Sequence, residues 1–174
     1  MTKKQSANLL DKSGYEFDNN LSNIESRVYH NPKNNKVLVT FRGTKNWIND
    51  IPTDLAILTG ELKHTQRYKD SKKTYEKAKE KYHTDNITLA GHSMGGSLAN
   101  AIGKSKDDIY TLNKGVGFLN PSTKTNEHAY RTSTDLISAL SATDKHQHNF
   151  SGFNANFLHA HQIERLGEIK PIYL

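Results

Sequence analysis

The stretch Gly91-His92-Ser93-Met94-Gly95-Gly96 sets one serine among three glycines, in a chain that has 11 glycines in all. A serine hydroxyl is a weak nucleophile until a sharp turn lifts it clear of the backbone and an imidazole takes its proton. Such a turn has no room for Cβ atoms two residues to either side, and Gly91 and Gly95 meet that need around Ser93. Gly96 lets a following helix begin close against the preceding strand. The first turn of that helix then aims free N–H groups and the positive end of its dipole at a developing oxyanion. His92 adjoins the serine, and a sequence neighbour at such a turn projects away from it. His92 is therefore expected to be structural, with the base elsewhere. Phosphate binding by a Gly-rich strand–helix turn is the competing use of the same residues.

The surrounding elements favour the nucleophile. Ile87–Ala90 is a short apolar strand entering the turn, and residues 95–104 have the small residues of a helix packed on a sheet. Upstream, KVLVTF (residues 36–41) is β-branched and apolar, the pattern of a buried strand. Before it come a strand over residues 26–30 and an Asn-Pro-Lys-Asn-Asn turn over 31–35. Residues 47–58 carry apolar side chains interrupted by Pro52, as in a broken helix or a helix and loop. Residues 67–82 form a long charged helix with Tyr68, Tyr75, Ala78 and Tyr82 on one side. GVGFL (115–119) is a further strand candidate, and 127–131, 136–140 and 169–173 are weaker ones; residues 154–166 suit a helix. Strands alternating with helices imply an α/β fold: a mostly parallel central sheet with helices on both faces.

The 174 residues suit a single domain spanning 1–174, with 1–25 as an N-terminal cap. Hydrophobic residues make up 34% and mean hydropathy is −0.79, so the core must be economical. With no cysteine, disulfides and thiolate chemistry are excluded. The basic start lacks the apolar core of a signal peptide, and no run nears the ~18 apolar residues of a membrane span, so a soluble chain is expected. A formal net charge of +6 and a pI of about 9.4 favour contact with anionic surfaces such as phospholipid or nucleic acid without choosing between them, and peripheral contact with an anionic membrane surface is one expectation. The basic residues are spread along the chain and not grouped around aromatics, which argues against specific nucleic-acid binding.

Two stretches together, VLVTFRGTKNWINDI (37–51) and the serine turn, resemble the class 3 lipase family of α/β-hydrolases. The first is similar to that family's strand ending in F-R-G-T or F-R-G-S followed by W-x-x-D. GFLNP (117–121) and HQIERL (161–166) add weaker matches, similar to the strand after the nucleophile helix and to the H-S-L pattern around the catalytic histidine. The resemblance implies a compact α/β-hydrolase fold with Ser93 as nucleophile. It also implies an oxyanion hole built from the N–H groups of Thr44 and Met94. Arg42 is expected to be a buried ion-pair partner, to Asp50 or Asp54.

The triad order in this fold is Ser, then Asp or Glu, then His. Downstream of Ser93 the acids are Asp107, Asp108, Glu127, Asp135, Asp144, Glu164 and Glu168. Asp107 and Asp108 fall before the next expected strand. Asp135 follows a strand candidate, in a position comparable to the family's acid, and is the expected orienting carboxylate, with Asp144 in reserve. Among His128, His146, His148, His159 and His161, the H-S-L likeness selects His161 as base, with His159 as its rival. The pairs His146/His148 and His159/His161 also have the i, i+2 spacing of metal ligands on a strand, but nothing else in the sequence supports zinc or copper.

The expected activity is hydrolysis of carboxylic esters, lipid or small, through a Ser93–Asp135–His161 triad and an acyl-enzyme, with no cofactor and no metal. Phospholipase A1-like cleavage falls within that class. The stretch over 59–67 is brief and polar, and residues 51–58 provide too few leucines and phenylalanines for a substantial apolar lid. A lipase-like fold kept as a structural or binding module with a degenerate triad is the alternative.

Overall fold

A computed structural model describes residues 10–43, 62–114, 123–132, 147–151 and 170–171. Among the described residues the frame is one eight-stranded sheet in which sequence order and spatial order coincide. The strands are β1 (Glu16–Phe17), β2 (Ser26–Asn31), β3 (Lys36–Phe41), β4 (Ile87–His92), β5 (Asp108–Leu112), β6 (Glu127–Thr132), β7 (Gln147–Ser151) and β8 (Lys170–Pro171). The four pairings from β3 to β7 are parallel, and the outer ones, β1–β2, β2–β3 and β7–β8, are antiparallel. The parallel centre thus points its carboxyl ends at a single edge, where Phe41, His92, Leu112 and Thr132 end their strands.

Among the described residues the helices α1 (Gln66–Tyr82) and α2 (Met94–Ile102) pack on this sheet. Alternation along the strands aligns Val28, Val39, Leu89 and Ile109 in register across one face. Tyr75 and Ala78 of α1 and Leu98, Ala99 and Ile102 of α2 pack into the same buried cluster. α1 and α2 therefore share one face of the sheet; the helix expected over 154–166 lies outside the described residues. On that other face Tyr110 and His128 stack with ring centres 4.7 Å apart.

The expected strands over 26–30, 36–41, 87–90 and 127–131 are present, β4 running two residues further to His92. One expectation is corrected. The strand after the serine helix is β5, Asp108–Leu112, inserted in register between β4 and β6. Its sequence DIYTL alternates only weakly and opens on an acid, so periodicity passes it over; pairing on both sides makes it a strand. The GVGFL segment lies outside the described residues. So do the broken helix over 47–58, the strand candidate over 136–140 and the tail helix. The cap over 1–25 contains β1, an addition to the sheet, and β7 is likewise unforeseen. No helix among the described residues is long and apolar enough to cross a membrane.

Buried polar networks fix the frame. The Glu127 carboxylate at the start of β6 is fully buried and accepts from Thr111 Oγ1 at 2.7 Å, Lys114 Nζ at 2.8 Å and the Lys124 N–H at 3.1 Å. Asn100 of α2 also donates to it, so one carboxylate joins α2, β5 and β6. Lys124 Nζ closes the end of α2 by donating to the carbonyls of Asn100 and Gly103, and burial lowers its pKa.

A second network ties the N-terminal segment to α1. Asp18 accepts from Lys81 Nζ at 2.6 Å, from Tyr82 Oη at 2.7 Å and from the N–H groups of Asn20 and Leu21. Burial pushes the Asp18 pKa up, but the bonds from Lys81, Tyr82 and Leu21 overcome that push and hold it below the ordinary 3.8. A depressed native pKa means the unfolded chain binds the proton more readily. The resulting stability is present above pH ~4 and is lost as pH falls through the native value. Asp18→Asn is expected to destabilise the protein at pH 7 by about 2 kcal/mol, with the difference shrinking toward pH 3. Thermal melts of both forms across that range check it.

Candidate active site

Ser93 follows directly on β4 and is the N-cap of α2, with φ 55° and ψ −125°. This backbone region is closed to residues with a Cβ unless the surroundings impose it, at a cost of about 1–3 kcal/mol. Here they do. The Ser93 N–H donates to the Leu112 carbonyl at 3.0 Å, and its carbonyl accepts from the Ser97 N–H at 3.1 Å as the helix begins. Gly91 and Gly95 permit the turn by their bareness. A Cβ on Gly91 would lie 2.2 Å from the Gly95 carbonyl atoms, and one on Gly95 2.2 Å from the Phe41 carbonyl oxygen. Gly96 packs near Lys114, where a Cβ would meet the Cα at 3.4 Å. The sharp strand–helix turn expected from the glycine spacing is thus present.

The end of β3 comes alongside. A Cβ on Gly43 would stand 3.6 Å from the Ser93 Cβ and 3.3 Å from His92 Nδ1. Strand β3 therefore delivers the F-R-G sequence to the flank of the serine, and the His92 ring fills the space beside Gly43. Met94 is the first residue of α2, directly after Ser93.

Thr44, Asp135 and His161, with the reserves Asp144 and His159, lie outside the described residues, as do Asp50 and Asp54, the expected partners of Arg42. Their chain anchors are described. Asp135 is three residues past Thr132, the end of β6, a reach of at most ~10 Å. The connection holding His159 and His161 leaves β7 at Ser151 and enters β8 at Lys170, and these two residues pair with each other. Both anchors lie on the carboxyl edge, since β7 runs parallel to β6 with Phe150 opposite Thr132. His128 is an exposed residue on the face away from α1 and α2, stacked on Tyr110. His148 lies on β7. Among the described residues no group of three or more His, Asp or Glu could hold a metal ion.

Asp107 and Asp108 are removed from the site by topology. They sit at the amino end of β5, the edge opposite Ser93, where Asp107 accepts from Tyr75 Oη at 2.9 Å and Asp108 pairs with Lys36 at 3.3 Å. Burial, reinforced by the Asp107 charge, raises the Tyr75 pKa, so its hydroxyl stays protonated and donating.

One group beside the serine turn is not foreseeable from motifs. Arg67, at the start of α1, donates to the Met94 sulfur at 2.8 Å, to the carbonyl of Arg42 and to that of Gly43 at 3.4 Å. It also pairs with Glu25 at 2.7 Å. In sequence it is one of several cations on a charged helix, with nothing local to mark it.

No protein-family model matches the sequence, and no curated protein does. Among solved structures, the Lip2 lipase from Yarrowia lipolytica is similar at a TM-score of 0.52 and 13% identity, over 78% of this chain and 65% of that one. A mutant form of MDLA from Penicillium cyclopium is similar at 0.55 and 14% identity, over 99% and 75%. A further fungal lipase structure is similar at 0.55 and 14% identity, over 90% and 71%. The chain thus spans about 65% of the length of the Yarrowia lipase. At these identities the likeness is one of fold. The strand order, the strained serine turn and these likenesses agree that the chain has a compact, lipase-like α/β-hydrolase fold.

Proposed function

We propose that the chain is a serine hydrolase that cleaves carboxylic esters. The observation that carries this reading is the backbone of Ser93, a non-glycine residue held at φ 55° and ψ −125° between a parallel strand and a helix N-terminus. Strain of that kind persists where the surroundings enforce it, and it is concentrated at catalytic sites.

In the proposed reaction Ser93 Oγ attacks the ester carbonyl carbon while His161 takes the hydroxyl proton. The oxyanion accepts hydrogen bonds from the N–H groups of Thr44 and Met94. The tetrahedral adduct collapses, the C–O bond to the leaving alcohol breaks, and His161 returns the proton to that oxygen. Water then attacks the acyl-enzyme by the same route and releases the acid. Asp135 holds the imidazole tautomer. Its anchor at the end of β6 lies two strands from β4, about 10 Å across the sheet. Two hydrogen bonds and the width of an imidazole ring nearly fill such a gap. The anchors of the His161 connection at the same edge support the base in the same way. Substrates in this reading are small soluble esters or single lipids, phospholipase A1-like cleavage included, met at an anionic surface by a chain of net charge +6.

A fluorophosphonate probe tests the reading, because it phosphonylates only an activated serine. Labelling at Ser93 and turnover of p-nitrophenyl butyrate are both expected, and Ser93→Ala is expected to lose both with its melting temperature unchanged. His161→Ala is expected to lose ~10⁴-fold or more in kcat, and His159→Ala little. An unlabelled wild-type chain, or unchanged turnover in Ser93→Ala, refutes the proposal and favours a non-catalytic binding module.

A further inference from the structure

We propose that the outer face of α1 is a docking surface for a bilayer containing anionic phospholipid, with Lys69, Lys73 and Lys77 as its contact row. The inference rests on the ester-hydrolase reading above and deepens it, by naming the surface through which lipid substrates are met. In 17 residues α1 carries seven cations against three carboxylates, so it accounts for +4 of the chain's net +6. Its inward side is occupied: Ser71, Thr74, Tyr75 and Ala78 are buried. Lys69, Lys73 and Lys77 recur every four residues on the opposite side. All three are exposed, as is Lys72 on their flank. The row is about 12 Å long.

Charge pairing separates this row from the rest of the helix. Lys79 is paired with Asp85, and Lys81 with Asp18 at 2.6 Å. Glu76 is drawn to Lys104 at 3.1 Å, and Asp70 accepts from Gln66 at 2.9 Å. Glu80 lies exposed one turn beyond Lys77, at the end of the row. Lys69, Lys73 and Lys77 pair with no carboxylate among the described residues. Like charges four residues apart on a helix repel and weaken it. Among the described residues nothing offsets that repulsion, whereas an anionic surface laid along the row does.

The residue types choose the partner. An ammonium is a compact, hydrated point charge on a flexible stem, which suits a spread of headgroup phosphates better than bidentate capture of one. Tyr68, Tyr75 and Tyr82 pack toward the core, so the row has no aromatic ring on which a nucleic-acid base could stack. Position agrees with the choice. Arg67, in the first turn of α1, reaches Met94 beside Ser93. The row therefore begins near the serine turn, and a bilayer held along it lies close to the edge where esters are cleaved.

Cosedimentation of the full chain with vesicles tests the inference without turnover. The wild type is expected to bind phosphatidylcholine vesicles containing ~30% phosphatidylserine and not vesicles of phosphatidylcholine alone. Binding is expected to fall as salt rises from ~0.1 to ~0.5 M. Lys69→Gln/Lys73→Gln/Lys77→Gln keeps the stems, removes the charges, and is expected to bind ~100-fold more weakly. Lys12→Gln/Arg27→Gln/Lys33→Gln removes as much charge from exposed positions away from α1 and is expected to lose less than ~5-fold. Circular dichroism confirms the folded state of both, and their turnover of p-nitrophenyl butyrate is expected to match wild type. Equal losses in the two triple variants, or no vesicle binding by the wild type, overturns the inference. So does vesicle binding that survives in the α1 variant while its affinity for a DNA duplex collapses, which assigns the face to nucleic acid. Ser93→Ala is expected to bind vesicles as wild type does. A wild-type chain with no Ser93-dependent turnover, whose vesicle binding still depends on the α1 row, removes the hydrolase reading alone.

Discussion

Ser93→Gly is expected to abolish ester hydrolysis, by on the order of 10⁵-fold in kcat, while making the protein more stable. The two effects share a cause. At φ 55° and ψ −125° a serine is strained and a glycine is not. Relief of about 1–3 kcal/mol is offset by the extra freedom glycine gives the unfolded chain, about 0.5–1 kcal/mol. A net gain near 1 kcal/mol raises the melting temperature of a chain this size by about 2–4 °C. Ser93→Ala is the informative partner, since alanine keeps the Cβ and the strain while losing the nucleophile. Both variants should be inactive, and only the glycine should melt higher. Equal melting temperatures for the two would mean that the turn stores no strain. The residual activity over water would report what the oxyanion donors and binding contribute without a nucleophile.

Gly95→Ala is expected to cost about 4 kcal/mol or more, a large part of the 5–15 kcal/mol that holds a typical domain together. The added methyl would stand 2.2 Å from the Phe41 oxygen, 2.8 Å from its carbonyl carbon and 2.9 Å from the Arg42 carbonyl carbon. All three are backbone atoms at the end of β3, which is held in register with β4, so no side chain can swing aside. Relief requires α2 to slide off the sheet, which would also carry Met94 away from Arg67. Gly96→Ala is the control. Its methyl would meet the Gly91 oxygen at 3.2 Å and Lys114 at 3.4 Å, tight contacts that a few tenths of an ångström relieve, so about 1 kcal/mol is expected. Chemical denaturation of the three proteins decides the matter, and similar midpoints for both alanine variants would contradict this packing of α2 on β3.

Local chemistry made much of the fold legible. KVLVTF reads as a buried strand because β-branched residues pack well on a pleated surface, and β3 spans those six residues. The charged helix over 67–82 is recognisable from its tyrosines and Ala78, which recur on one side, and α1 differs by one residue. What escaped were strands made by their neighbours. DIYTL becomes β5 because β4 and β6 supply hydrogen bonds on both sides, and Glu16–Phe17 becomes β1 because the edge of β2 is free to pair.

The site divides along the same line. Glycines two residues either side of Ser93 are a local record of a local clash, so the turn was determined by sequence alone. That β3 should lie beside it, with Gly43 against Ser93, and that Arg67 should reach from α1 to both Arg42 and Met94, was decided only in three dimensions. The physical reason is range. A strained turn is specified by the residues that collide within it, whereas the approach of β3 to that turn is a distance between two chain segments, set by the sheet register and by contacts such as those of Arg67, which nothing in the sequence around it marks.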